Sequence, residues 1–374
     1  MAAWTSGGQR SRPGPAGRGP AGLGEAQAAR SPARSGASGA RTGSQAGARP
    51  PPGAASIFAS VAVFFVFVDG VGAGEPDPSV NPLARARLLL SRFADGSGAP
   101  LPRAGRSNLA DACLGVPGRP QSATGQSAIL SGENAPRAMG RHLLGFPTRA
   151  LRAWLEPRSI FRTLSAAGSR AAFANAFPVA HLRALGLPAE GEPEIELAAL
   201  RRWARASAST VAFAAGGERF LTWEDARRGR ALTHDLTGAR ATALGARLPR
   251  RTPEEAAAVL SRLAAASDLV FFEFFESDEA GHARSMEWAL EALSRLDRML
   301  RALVARLAPG DSLVVASDHG NVEDLSTRNH TRARVPVLGF GAAAARVGQV
   351  ADLPQIAPLL LSLAAARARR AAVP

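Results

Sequence analysis

No lysine and no tyrosine occur in the 374 residues, so all 45 basic side chains are arginine. With the excess of Ala, Gly and Pro, this marks a coding sequence biased toward G and C, and it strips the net charge of +14 of much diagnostic weight. Such a surplus suits anionic substrates or weak nucleic-acid contact. No basic motif interleaved with aromatics accompanies it, so no specific nucleic-acid module is expected. The single cysteine, Cys113, excludes an intrachain disulfide and any cysteine-based metal site. It fits a reducing compartment, and a cytoplasmic location is expected. Long apolar runs are missing too. The longest, Ala54–Val68, is short for a membrane span and ends in Asp69, so no membrane association is expected. Read as a secretory signal, it would follow too long a leader, and cleavage would discard Asp69.

Large apolar residues are nearly absent from residues 1–55, a tract of Arg, Gly, Ala, Pro and Ser. Such a segment buries too little surface to offset its ordering entropy, so a disordered low-complexity tail is expected. A tail that binds something anionic and a start assigned too far upstream both remain open.

Beyond the tail, strand-like and helix-like stretches alternate. Ile57–Val68 is a Val/Phe-rich run without polar alternation, typical of a strand buried on both faces, and it stops at Asp69-Gly70-Val71-Gly72. Pro82–Phe93 reads as a helix with Leu88, Leu89 and Leu90 inward. Gln121–Gly132 reads as a loop turning into a short helix. Ser159–Ala167 is a helix ended by Gly168, and Ala171–Ala176 a strand. The segment 177–250 is less regular, with a helical stretch at Ile195–Ala206, and is expected to be a small cap-like insertion. Thr252-Pro-Glu-Glu255 combines an N-cap, a first-turn proline and a capping-box glutamate, predicting a helix over Pro253–Ala265. Leu269–Phe275 is a buried strand leading through Glu276–His282 into a long amphipathic helix ending near Leu307. Ser312–Ala316 and Val335–Phe340 are further strands, and Pro354–Ala366 a closing helix. The expected fold class is α/β, a doubly wound, mostly parallel sheet with helices on both faces, over residues 56–374.

Polar groups gather at the strand ends. The apolar run before Asp318-His319-Gly320-Asn321 delivers a carboxylate and an imidazole together, two ligand types suited to one divalent metal. That dipeptide alone is more often an ordinary loop. Asp69, the Thr124 loop, Asp278 with His282 four residues on, and His330 behind Asp318-His319 change the odds. Ligands in open α/β sheets bind outside the carboxyl ends of the strands, where these groups converge. His142, His181 and His234 lack such neighbours and are expected to be solvated or structural, with His234-Asp235 the decoy to check.

Val68-Asp69-Gly70, Ser122-Ala-Thr-Gly-Gln126, Asp278-Glu-Ala-Gly-His282, Ser317-Asp-His-Gly-Asn321 and His330-Thr331 occur in the order found in the alkaline phosphatase superfamily. The chain most resembles its metalloenzyme branch, which includes cofactor-independent phosphoglycerate mutase and phosphopentomutase. The resemblance implies two divalent metal ions, Mn or Zn. Asp278, His282 and His330 would hold one. Asp69, Asp318, His319 and the Thr124 hydroxyl would hold the other, with Thr124 as the nucleophile. Phosphoglycerate mutase carries a full transferase domain and a phosphate-binding lysine, whereas this chain has a small insertion and no lysine. The expected activity is therefore phosphoryl transfer, as phosphatase or phosphomutase, on a small phosphate ester through a phosphothreonine. Phosphodiester or sulfate-ester cleavage, and non-catalytic phosphoester binding, are the alternatives; the oligomeric state is left open.

Overall fold

The computed structural model describes residues 61–194 and 204–371. The expected tail, the start of the first strand at Ile57 and most of the helical stretch Ile195–Ala206 lie outside the described residues.

Eight strands are present among them: β1 (Val63–Val68), β2 (Arg106–Ala110), β3 (Ala171–Phe173), β4 (Ala176–Phe177), β5 (Leu221–Thr222), β6 (Leu269–Phe274), β7 (Ser312–Ser317) and β8 (Val335–Gly341). Six form the main sheet in the order β2-β8-β7-β1-β6-β3. β3, β6, β1 and β7 run parallel, β8 is antiparallel to β7, and β2 is antiparallel to β8. β4 and β5 pair separately.

The helices that matter for the site are α1 (Ser122–Ser131), α2 (Ala208–Ala215), α3 (Pro253–Ala264), α4 (Glu276–Ala283), α5 (Met286–Arg306) and α6 (Ile356–Ala371). They cover both faces of the sheet. Successive strand residues point to opposite sides, so Val63, Phe65 and Phe67 pack in one buried cluster with Ile129 of α1, Phe213 of α2 and Leu360 of α6. Phe64, Val66 and Val68 pack in the other with Leu260 of α3 and Leu296 and Leu300 of α5. Two apolar faces explain a strand with no polar position. Each fully buried side chain of this size contributes roughly 1.5–3 kcal/mol. Phe65 also stacks on Phe271 of β6 with ring centroids 5.4 Å apart, so truncating it cuts across the centre of the sheet.

Local signals set most element ends. Thr252 and Glu255 form the capping box that opens α3, behind Pro253. Ser159 caps the helix Ile160–Ala166, and Gly168 follows in the left-handed conformation. The long helix expected through Leu307 is instead two helices, because Arg284 adopts φ 56° and ends α4 before Ser285 caps α5. The helix expected over Pro82–Phe93 is confined to Pro82–Arg85. Three consecutive leucines cannot share one helix face at 100° per residue, yet Leu88, Leu89 and Leu90 are all buried. A turn solves this. The Ser91 hydroxyl donates to the carbonyls of Leu83 and Ala86, and the Leu89 amide donates to Asp297 of α5. The strand expected over Ala171–Ala176 is likewise split between β3 and β4.

The segment 177–250 is tied to the main core. Phe177, Leu182, Val211, Phe213 and Phe220 belong to the same cluster as β1 and β6, while Trp223 gathers a small alanine-rich cluster of its own. Among the described residues, no helix is long and apolar enough to cross a membrane.

Candidate metal centre

Register brings the first candidate ligands together. Val68 pairs with Ser317 of β7 and with Phe274 of β6. The residues that follow, Asp69 and Asp318, therefore leave neighbouring strands at one level. α4 starts two residues after β6 ends, placing Asp278 in its first turn and His282 one turn later. His330 comes from the loop after β7. Thr331 in that loop forms an isolated bridge with Gly320, joining it back to the Asp318 turn.

Two clusters result: Asp69, Asp318 and His319, and Asp278, His282 and His330, each with its ligand atoms within 4.8 Å of one another. In the first, Nε2 of His319 lies 3.3 Å from Oδ1 of Asp69 and 3.4 Å from Oδ2 of Asp318. Burial pushes the His319 imidazole down to about 3, so the ring is neutral. Burial first, then neighbouring carboxylates, pushes Asp69 and Asp318 well above the usual carboxylate range. Oδ1 of Asp69 and Oδ2 of Asp318 are buried without a hydrogen-bond donor. Buried acceptors aimed at a neutral imidazole are costly as they stand, and a divalent cation among them satisfies all three.

The second cluster is arranged by its outer contacts. Nδ1 of His282 donates to the Arg328 carbonyl at 2.8 Å, and Nδ1 of His330 to the Pro120 carbonyl at 3.0 Å. In neutral rings this leaves each Nε2 as an acceptor. The two Nε2 atoms face each other at 3.2 Å, and Asp278 lies 3.2 Å from His282 and 3.6 Å from His330. Two facing lone pairs beside a carboxylate require a proton or a cation between them. Burial opposes ionisation of Asp278, but the His282 hydrogen bond and surrounding imidazoles hold its carboxyl below the ordinary range. The Asp278 hydrogen bond raises His282, and burial lowers His330. The rings of His319 and His330 stack at 3.7 Å, so the clusters are neighbours. Asn321 links them again, donating to Oδ1 of Asp278 at 2.6 Å.

Six of the seven expected ligands thus lie in these clusters. Thr124 does not. Its buried hydroxyl donates to the Gln121 carbonyl at 3.3 Å and accepts the Leu143 amide at 3.2 Å, so it is committed to backbone on α1 and on the 139–143 loop. It is not a helix cap either, since the N-cap is Gln121, which makes no side-chain cap. The hydroxyl that reaches the centre is Ser122, the first residue of α1, with Oγ 2.9 Å from Nε2 of His319. Ser122 stands in the same Ser-Ala-Thr-Gly motif, which offers two hydroxyls and does not say which one faces the centre. α1 comes this close because residue 125 is glycine: a Cβ there would lie 3.0 Å from Cβ and the carbonyl oxygen of Asp318. Gln126, one residue on, reaches Oδ2 of Asp69 at 3.4 Å.

The other histidines stay out of both clusters. His234 is hydrogen-bonded to Asn175, packs on Phe275 and is pushed by burial to about 3. Its neighbour Asp235 accepts amides from Gly238 and Arg240 as a turn residue. His181 stacks on Phe177 and is pushed by burial to about 4. Burial also lowers His142, which lies beside the Gly118 loop.

Residues 249–367 match the family described as the Metalloenzyme superfamily. A phosphopentomutase from Methylobacterium nodulans is 45% identical over 74 residues, 20% of this chain and 18% of that protein. One from Chromohalobacter salexigens is 41% identical over 91 residues, 24% and 22% of the two chains. The matched stretch spans about a fifth of the length of these curated relatives. Among solved structures, an alkaline phosphatase from Thermus thermophilus has a TM-score of 0.49 at 14% identity, over 84% of this chain and 96% of that one. Asp69 and Ser122 lie ahead of the matched stretch. The Metalloenzyme superfamily match over residues 249–367 thus covers the part of the chain that carries Asp278, His282, Asp318, His319 and His330.

Proposed function

We propose that this protein transfers a phosphoryl group from a small phosphate ester, with Ser122 in place of Thr124 as the covalent acceptor. The carrying observation is the Ser122 hydroxyl at 2.9 Å from His319, beside the unsatisfied oxygens of Asp69 and Asp318. Asp69, Asp318 and His319 would hold one cation, and Asp278, His282 and His330 the other, with Mn or Zn fitting these oxygen and nitrogen donors. Two bound cations would supply positive charge for the phosphoryl oxygens and lower the pKa of a nearby hydroxyl.

The chain's own groups then have distinct tasks. Ser122 attacks phosphorus, forming its Oγ–P bond as the ester P–O bond breaks, and the leaving alkoxide takes up a proton from solvent and departs as the alcohol. With Nε2 of His319 taken up as a ligand, the Ser122 hydroxyl loses that acceptor, so its proton passes to solvent. The uncapped first turn of α1 offers backbone amides to the phosphoryl oxygens. The phosphoserine then passes its phosphoryl to water in a phosphatase, or to a second hydroxyl of the substrate in a mutase.

Similarity to phosphopentomutases supports a phosphorylated sugar as substrate, and a pentose phosphate is the first to test. A cytoplasmic setting fits the lone, partly buried Cys113. Phosphodiester or sulfate-ester cleavage at the same centre is the second reading. The deciding experiment is acid quenching during turnover on a panel of phosphate esters with Mn or Zn. Fragmentation of the peptide bearing Ser122 and Thr124 then locates the phosphate. Phosphate on Ser122 supports the proposal, and turnover with no phosphoenzyme sinks it. Activity on sulfate esters or diesters alone would favour the second reading.

A further inference from the structure

Glu323 is buried at 2% exposure five residues past Asp318, yet it belongs to neither cluster. Its contacts are all with the loops that carry ligands. Oε2 accepts the Gly72 amide at 2.9 Å, from the loop behind Asp69, and the Asn321 amide at 2.7 Å, from the turn behind His319. Oε1 accepts the hydroxyl of Thr331, the residue next to His330. A Cβ on Gly72 would lie 2.4 Å from Oε1, and one on Gly320 2.2 Å from it. The chain is therefore stripped of side chains on two sides to admit this one carboxylate. Backbone bonds repeat the pattern: Val322 donates to Gly70 at 3.0 Å, and Thr331 to Gly320 at 2.9 Å.

We infer that Glu323 is a positioning residue that holds the Asp69, His319 and His330 loops in one arrangement and so sets cation affinity at both clusters together. This rests on the two-cation reading. One acceptor serving three donors on three loops makes their relative placement depend on a single side chain. Removing it frees Asp69 and His319 on one side and His330 on the other. Loss of an outer partner of this kind typically lowers metal affinity about 10–100-fold. A residue that only added stability would lower the melting temperature and leave affinity alone.

The test is titration of chelator-stripped protein with Zn against a competing chelator, alongside the melting temperature of the stripped protein. Glu323→Ala is expected to weaken both sites about 10–100-fold. Glu323→Gln keeps an acceptor for the two amides and is expected to stay within about threefold of wild type, since the outer contacts persist. Thr331→Val removes the donor beside His330 and is expected to weaken that site more than the other. Wild-type affinity at both sites in folded Glu323→Ala overturns the inference, as does a Gln variant as weak as Ala. Should Glu323→Ala fail to fold, Thr331→Val decides: unchanged affinity at the His330 site overturns it. A wild-type protein that takes up no cation sinks the metal reading itself, and this inference with it.

Discussion

Substituting the two hydroxyls of the Ser122-Ala-Thr124 segment separates a residue that reacts from one that supports the helix carrying it. The Thr124 side chain is fully buried, with two long hydrogen bonds to backbone at 3.2 and 3.3 Å. Thr124→Val keeps the shape and leaves the Leu143 amide without its acceptor. An unsatisfied buried donor costs about 1–3 kcal/mol, and the length of this bond puts the cost near about 1 kcal/mol. For a folded unit of this size that lowers the melting temperature by about 2 °C. Turnover of the folded protein is expected to stay within a few-fold of wild type. Ser122→Ala removes one hydroxyl and leaves Nε2 of His319 free for a ligand role, so the fold and the metal content are expected to persist. The covalent route is lost, and kcat is expected to fall by about 1000-fold or more. The assay is steady-state turnover in parallel with thermal unfolding and elemental analysis of each variant. A Thr124→Val protein that folds, holds its metals and is inactive, beside an active Ser122→Ala, would refute the assignment.

Three further outcomes follow from the same geometry. Protein purified without chelator is expected to carry two cations by elemental analysis, with Asp318→Ala emptying mainly one site and His282→Ala mainly the other; intact metal content in both variants would show the ligand sets to be wrong. Chelation is expected to lower the melting temperature, since a cation held at a hundredfold over its dissociation constant adds about 2.7 kcal/mol per site, and differential scanning fluorimetry with and without chelator reads it. Glu273 of β6 is pushed by burial to about 7 against an ordinary 4.5, with the Ser209 hydroxyl as its partner. The folded state therefore holds this proton where the unfolded chain has lost it, so stability falls as pH rises from 4.5 to 7 and stays lower above. Glu273→Gln in metal-free protein is expected to match wild type near pH 4.5 and exceed it by up to about 3 kcal/mol above pH 7, as denaturant unfolding at the two pH values checks.

Much of this arrangement is legible in the residue order, for physical reasons that differ by element. β1, β6 and β7 read directly as buried strands because each packs against helices on both faces, which keeps them almost wholly apolar, Glu273 of β6 and the end serines of β7 aside. The six residues of the two clusters stand out in the sequence because a carboxylate or imidazole that closes such a strand has few other uses. α3 is written in its own cap. The Pro82–Phe93 helix misleads, because leucine content signals burial whether the backbone is helical or turned, and the turn depends on Ser91 and on Asp297, over 200 residues away. The break at Arg284 misleads in the opposite way: the left-handed residue is not a glycine, and the Ser285 cap of α5 is the local signal that marks it.

The choice between Ser122 and Thr124 marks where sequence reasoning stops at the site itself. Two residues apart on a helix, their side chains leave the axis about 200° apart, so only one can face the metals. Which one depends on where the helix begins and how it is rotated, and no residue of the motif states either. The rotation is set by contacts with partners distant in sequence: Asp318 against Gly125, the core cluster around Ala128 and Ile129, and the Leu143 amide bonded to Thr124. Threonine is the β-branched, more buried residue of the pair, and the packed side of the helix takes it. Serine, at the first position of the helix and buried at 9% exposure, is left on the side that faces His319. The same reasoning predicts that Ser122→Thr is tolerated less well than Thr124→Ser. A methyl at position 122 must fit beside His319, whereas its loss at position 124 leaves a small apolar gap and both backbone hydrogen bonds. Equal turnover by the two variants would show that the face of α1 does not decide which hydroxyl reacts.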